Sequence, residues 1–186
     1  KKESRNASWF NGDTINMSIG QGFMLSTPLQ LAVMTARIAS KGKIIEPRLV
    51  KSVGGIDLVP AKTKQIKEID PKYWDYIHDS MKGVVHSVRG TATSINRGLT
   101  YTMAGKTGTA QVVSISADED YDKSKLNKRQ WDHALFIAFA PFDDLQIAVG
   151  LIVEKGEHGS STAAPIARSV IDAYLQTNSK ISSIPN

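Results

Sequence analysis

No cysteine occurs in the 186 residues, which removes thiolate nucleophiles, thiolate metal ligands and disulfide staples. It leaves the redox compartment open, because reducing and oxidising locations both tolerate Cys-free chains. There is no apolar run of the ~18 residues that a membrane-spanning helix needs, and the start, KKESRNASWFNGDT, has no apolar middle stretch of a secretory signal. No internal repeat or low-complexity tract appears. Charge of neither sign dominates: 23 Lys+Arg stand against 18 Asp+Glu, and the basic residues are spread along the chain, so no nucleic-acid partner is expected. With 41% hydrophobic residues, the length suits one compact unit with a real core.

The order of elements reads as helices, then a sheet, then a helix. Gly12, Gly20 and Gly22 in GDTINMSIGQGFMLSTP predict a sharply turning loop. Thr27 as N-cap and Pro28 as first helical residue open a helix that Gly42 stops. Leu29, Ala32, Val33, Ala36 and Ser40 line one face, and Leu31, Met34 and Ile38 make the other apolar, which predicts a helix buried under a sheet. Lys43 to Ile69 reads as irregular connections or a small hairpin. Asp70 and Pro71 start a second helix running to Gly90, with Tyr73, Trp74, Ile77, Met81, Val84, Val85 and Val88 inward and Asp75, His78, Asp79 and Lys82 outward. TYTMAGKTGTAQVVS, ALFIAFAPF and QIAVGLIVE predict successive antiparallel strands covered on both faces by helices. The segment Asp118 to Asp132 reads as a solvated loop placed to form a cleft lip. The last helix takes Ser161 or Thr162 as cap, Pro165 in its first turn, and Ile166, Val170, Ile171 and Tyr174 as its buried stripe. The fold class is α/β in the α+β sense, an antiparallel sheet packed between helices.

AGKTGTA, Ala104 to Ala110, carries two incompatible chemistries. Gly105, Lys106 and Thr107 fit the end of a GxxxxGK[ST] phosphate loop, but Thr100 stands where the leading glycine belongs, and the residues that follow prefer strand to helix. The alternative is a K-T-G box on a strand beside an active cleft. There the Lys106 ammonium and Thr107 hydroxyl hold a substrate carboxylate, Gly108 lets a substrate backbone lie close, and the Thr109 N–H points into an oxyanion hole. Strict alternation places Thr107 and Thr109 on one face and Lys106 on the other, so twist and the long lysine arm have to bring them together.

The surroundings make the box specific. WFNGDTINMSIGQGFMLSTPLQLA, GVVHSVRGTA, MAGKTGTAQV, DHALFIAFAPF and GSSTAAPIARSVIDAYL, in this order over nearly the whole chain, resemble the C-terminal part of a class B penicillin-binding protein transpeptidase of the cell-elongation kind. The resemblance implies that residues 1–186 are the C-terminal portion of one transpeptidase domain with a penicillin-binding, serine β-lactamase-like fold. It implies a serine acyl-enzyme D,D-transpeptidase that cross-links peptidoglycan stem peptides ending in D-Ala-D-Ala and is acylated by β-lactam antibiotics. Lys106, Thr107, Gly108 and Thr109 would bind substrate, with Lys106 and the Thr109 N–H also serving catalysis; no metal or cofactor is implied. The implied location is the bacterial inner membrane, facing the periplasm, with the anchor helix upstream. The implied partners are the upstream part of the same domain and a lipid-linked glycan polymerase of the elongation complex.

The family's S-x-x-K and S-x-N boxes are expected upstream of this chain. Ser40-Lys41-Gly42-Lys43 and Ser4-Arg5-Asn6 satisfy them in letters, but the first sits where a helix should end and the second at the ragged start. Asp132-His133 lacks the G-x-S-x-G elbow of a hydrolase, so His133 reads as the opening of a strand. His78, His86 and His158 show no spacing that converges on a metal and read as surface residues. A non-catalytic penicillin-fold module that binds peptides or regulates a partner is the competing reading, followed by a nucleotide-dependent enzyme. With no nucleophile in place, the 186-residue chain alone is expected to form no covalent adduct with a fluorescent penicillin on a denaturing gel. A labelled band would show that one of the two matched strings is functional.

Overall fold

A computed structural model describes residues 8–22, 24–59, 63–112 and 127–182. Helix α1 (Asn11–Ser18) starts where the Phe10 N–H donates to the Asp13 carboxylate at 2.9 Å. The loop expected from three glycines is therefore shorter. Gly12 lies inside the helix, where an isolated glycine costs only about 1 kcal/mol, and Gly20 and Gly22, at φ of 77° and 70°, make the exit turn.

Helix α2 (Pro28–Ala39) has the expected start, completed by a reciprocal box: Thr27 Oγ1 accepts from the Gln30 N–H, and the Thr27 N–H donates to Gln30 Oε1. It stops through Lys41 and Gly42 at positive φ, with the Gly42 N–H donating to the Arg37 carbonyl at 2.8 Å. Its burial is narrower than predicted. Thr35 and Ala39 are buried, whereas Leu29 is 60% exposed, because the helix meets the sheet along one line and Leu29 lies off it. Between α2 and the next helix, β1 (Lys43–Ile44) pairs with β4 (Lys64–Gln65), and β2 (Ser52–Val53) pairs with β3 (Ile56–Asp57) across Gly54–Gly55.

Helix α3 (Pro71–His86) is capped by Asp70, whose carboxylate accepts from the Lys72 N–H. It buries Trp74, His78, Met81 and Val85, while Tyr73 and Val88 are exposed. His78 is thus an inward residue, contrary to the sequence reading. Its spacing from Trp74 and Met81 places it on the core line, and its Nε2 lies 2.8 Å from the Ile38 carbonyl in the last turn of α2, which can only accept a hydrogen bond. The ring packs 5.0 Å from Phe139 and 5.8 Å from Phe142. The helix also ends at His86, short of Gly90, which sits in the following turn.

Strands β5 (Ala104–Ala110), β6 (His133–Ala140) and β7 (Ile147–Val153) form a three-stranded antiparallel sheet in the order β5-β6-β7, as their succession in the sequence predicts. On β6, Ala134, Phe136, Ala138 and Ala140 join one core with helix α4 (Ala164–Ser182), and Phe139 joins another with Ala39 and Met81 of α2 and α3. Helices therefore cover both faces. A wider turn, Gly159–Ala163, leads into α4, and the Thr162 hydroxyl donates to the Gly156 carbonyl instead of capping the helix.

Ala163 at the end of that turn and Ala164, Ala167 and Ile171 of α4 meet the sheet; Ile166, Val170 and Tyr174 are 41–45% exposed, which corrects the predicted stripe. Close approach explains the choice of small residues, since a Cβ on Gly159 would fall 2.4 Å from the Leu135 carbonyl oxygen. The same constraint acts on the other face. A Cβ on Gly150 of β7 would lie 2.7 Å from the Ala32 nitrogen and 3.0 Å from the Pro28 oxygen. Gly150→Ala must push α2 off the sheet and is expected to cost about 1–3 kcal/mol, read as a lowered midpoint of thermal unfolding. An unchanged midpoint would mean that α2 does not rest on β7.

Candidate active site

Lys106, Thr107, Gly108 and Thr109 lie in the extended strand β5. A strand where a phosphate loop would need the start of a helix removes the nucleotide-binding reading. β5 is the outer strand of its sheet, so among the described residues one of its edges has no strand partner. Pairing Lys106 with Ile137 and Gly108 with Leu135 turns these two toward the α2 and α3 face, and pairing Thr107 with Phe136 and Thr109 with Ala134 turns the threonines toward α4. The lysine arm bends back along the strand, and its Nζ donates to the Thr107 carbonyl at 2.7 Å.

The Thr109 carbonyl is also reached from off the sheet, by Gln21 Nε2 at 3.0 Å. In an antiparallel ladder a residue directs its N–H and its C=O to the same side. Residues 107 and 109 therefore face the open edge, and the Thr109 N–H opens beside the carbonyl that Gln21 holds. Thr107 Oγ1 is 3.2 Å from Thr91 Oγ1, and Thr109 Oγ1 donates to the Glu157 carbonyl at 3.4 Å. Sequence reasoning did not single out Gln21 or Thr91. Their signals were the glycines beside them: Gly20 and Gly22 hold positive φ, and a Cβ on Gly90 would fall 2.3 Å from the Val84 oxygen.

What delivers the chain into β5 is a clasp from α4. Arg168 Nη1 donates to the Ile95 and Arg97 carbonyls at 2.9 and 2.6 Å, Arg168 Nε pairs with Asp172, and Asp172 Oδ1 accepts from the Tyr101 hydroxyl at 2.6 Å. Burial, and then the bond to Asp172, pushes the Tyr101 phenol well above its ordinary pKa.

The other sequence features are placed elsewhere. Ser40 Oγ donates to the Ala36 carbonyl, and Lys41 and Gly42, both at positive φ, separate it from Lys43, so this S-x-x-K string shares no helical turn. Ser40, Lys41 and Lys43 instead line a cleft of about 580 Å³ with Asp75, His78 and Phe142, and none of residues 106–109 lines it. There the hydrogen bond and charge of Lys41 hold the Asp75 carboxyl below the usual carboxylate range. Asp132 Oδ1 accepts from the Val112 N–H and His133 Nδ1 from the Lys155 N–H, so the pair serves the backbone, and His133 opens β6 as expected. Among the described residues no group of His, Cys, Asp or Glu could hold a metal ion. Ser4-Arg5-Asn6 and most of the loop from Asp118 lie outside the described residues.

The family model described as the penicillin binding protein transpeptidase domain matches residues 1–172. The chain belongs to this family. It is 39% identical over 179 residues to the peptidoglycan D,D-transpeptidase MrdA of Haemophilus influenzae, covering 94% of this chain and 28% of that protein. To the MrdA of Escherichia coli (strain K12) it is 33% identical over 171 residues, covering 90% of this chain and 27% of that protein. The crystal structure of Pseudomonas aeruginosa PBP2 in complex with WCK 5153 matches with a TM-score of 0.77 and 42% identity, over 94% of this chain and 36% of that chain. The complex between PBP2 and MreC from Helicobacter pylori matches with a TM-score of 0.74 and 28% identity, over 94% and 29%. The chain spans less than a third of the length of these curated relatives.

Within this penicillin-binding transpeptidase fold the clasp makes a measurable claim. A phenol whose pKa is raised on folding adds stability that is fully present below the unfolded value near 10 and is lost as pH rises through the folded value. Absorbance titration is expected to leave Tyr101 protonated where free tyrosine ionises, and Asp172→Asn should move its midpoint down. A Tyr101 that titrates with the ordinary tyrosines would refute the clasp.

Proposed function

We propose that this chain is the substrate-gripping part of a peptidoglycan D,D-transpeptidase of the elongation type, inhibited by β-lactams. The observation that carries the reading is the open edge of β5, along which the Lys106 ammonium and the Thr109 N–H stand three residues apart at the two ends of one K-T-G-T run. Lys106, with the Thr107 hydroxyl, takes the terminal carboxylate of a D-Ala-D-Ala stem peptide. Gly108 lets the donor backbone lie against the strand, and the Thr109 N–H donates to the oxygen that becomes negative as the tetrahedral intermediate forms.

The serine comes from outside the described residues. Its Oγ attacks the penultimate D-Ala carbonyl while an adjacent amine takes its proton; the amide bond to the terminal D-Ala breaks, and that proton goes to the departing amine. The acyl group then passes to an amine of a second stem peptide. A β-lactam enters the same step, its ring amide opening in place of the D-Ala–D-Ala bond. The H. influenzae and E. coli relatives are named for this activity, and a PBP2 complex with MreC is known from H. pylori. In keeping with those names we place the whole protein at the inner membrane, facing the periplasm, working beside a lipid-linked glycan polymerase.

In the full-length protein, Lys106→Ala is expected to slow acylation by a fluorescent penicillin about 10- to 100-fold, the range for losing one charged hydrogen bond. Unfolding should be unaffected, because the ammonium is exposed. Acylation at the unsubstituted rate would sink the role of Lys106. An unsubstituted protein that takes no label at all would favour the non-catalytic peptide-binding module instead.

A further inference from the structure

Two outward carbonyls of β5 are not empty. Lys106 Nζ holds that of Thr107, and Gln21 Nε2 holds that of Thr109. A peptide added along a free strand edge binds through its own N–H groups on outward carbonyls. Gln21 therefore stands where the N–H of an acyl donor would bind.

Its backbone is built to hold it there. Gly20 and Gly22 on either side adopt φ of 77° and 70°, and the Gln21 N–H donates to the Asn16 carbonyl at 2.9 Å, which ties the turn to α1. The side chain is different. It reaches across 88 positions of sequence with one neutral hydrogen bond, on rotatable carbons that can swing away without moving the turn. Its amide and a peptide N–H are donors of the same kind, so exchanging one for the other on the Thr109 carbonyl is nearly balanced. Covering an edge carbonyl with a side chain also shields the strand from unwanted pairing.

We infer that Gln21 is a placeholder for the donor's amide: it occupies the Thr109 carbonyl in the free protein and leaves it when an acyl donor carrying an N–H at that position binds. The inference rests on β5 being the donor-binding strand, and it assigns Gln21 a part in selecting among donors.

The test uses the full-length protein and two β-lactams, a penicillin with an acylamino side chain and a penam that lacks the side-chain amide, with second-order acylation constants measured for both. Removing the competing amide favours only the ligand that needs the carbonyl. Gln21→Ala is expected to raise the ratio of the amide-bearing to the amide-free constant about 3- to 10-fold. Gln21→Glu, which keeps the size but has no donor when ionised, should raise it similarly, since any repulsion of the ligands' carboxylates acts on both alike; it carries the test if the alanine variant fails to fold. An unsubstituted protein that is acylated, with a ratio unchanged or lowered in the folded variants, overturns the inference alone. An unsubstituted protein acylated by neither ligand overturns the transpeptidase reading and this inference with it.

Discussion

Burial of strand β6 on both faces is the constraint from which the rest follows. Phe136 and Phe139 point in opposite directions from it and are both fully buried, one against the alanine stripe of α4 and the other against α2 and α3. Two buried aromatic side chains on one strand contribute several kcal/mol of apolar burial, and they hold only if helices lie on both sides. That arrangement fixes β6 as the middle strand and leaves β5 at the edge.

Small residues then decide how near each helix comes. Gly150 admits the backbone of α2, and Gly159 with Ala163 and Ala167 admits α4, so the sheet is held between close surfaces and not between long side chains. The K-T-G-T run inherits its position from this packing. Gly105 lies against the Phe136 ring, where a Cβ would come within 2.6 Å, and Gly159 lies against the backbone of Gly108. From the other direction, the Arg168–Asp172–Tyr101 clasp sets the segment that enters β5. A strand pinned at entry and along one face can present its remaining edge to a ligand with little left to reorganise.

Local rules were legible where the signal is local. Thr27-Pro28 and Asp70-Pro71 open their helices as the sequence predicts, and the three successive strand-like segments form the sheet. Errors came where a residue's surroundings outweighed its type. The sequence places His78 outward among polar neighbours, yet the Ile38 carbonyl at the end of α2 gives its ring nitrogen a buried partner. The sequence predicts Ile166, Val170, Ile171 and Tyr174 as the buried stripe, yet of these only Ile171 is fully buried, beside Ala164 and Ala167, where α4 lies closest to the sheet. An α2 that is apolar on most sides predicts Leu29 inside, but that pattern says nothing about which line of the helix meets a sheet, and Leu29 is exposed.

By itself the sequence determined the order of elements, the strand character of AGKTGTA and the family likeness, because each depends on neighbouring residues, spacing or the text of the chain. Only the tertiary structure decided that residues 107 and 109 face the open edge, that Gln21 and Thr91 stand beside them, and that the cleft around Ser40 is elsewhere. Those facts depend on which surfaces meet across tens of positions, and side-chain volume and unsatisfied carbonyls settle that only once the helices have closed on the sheet.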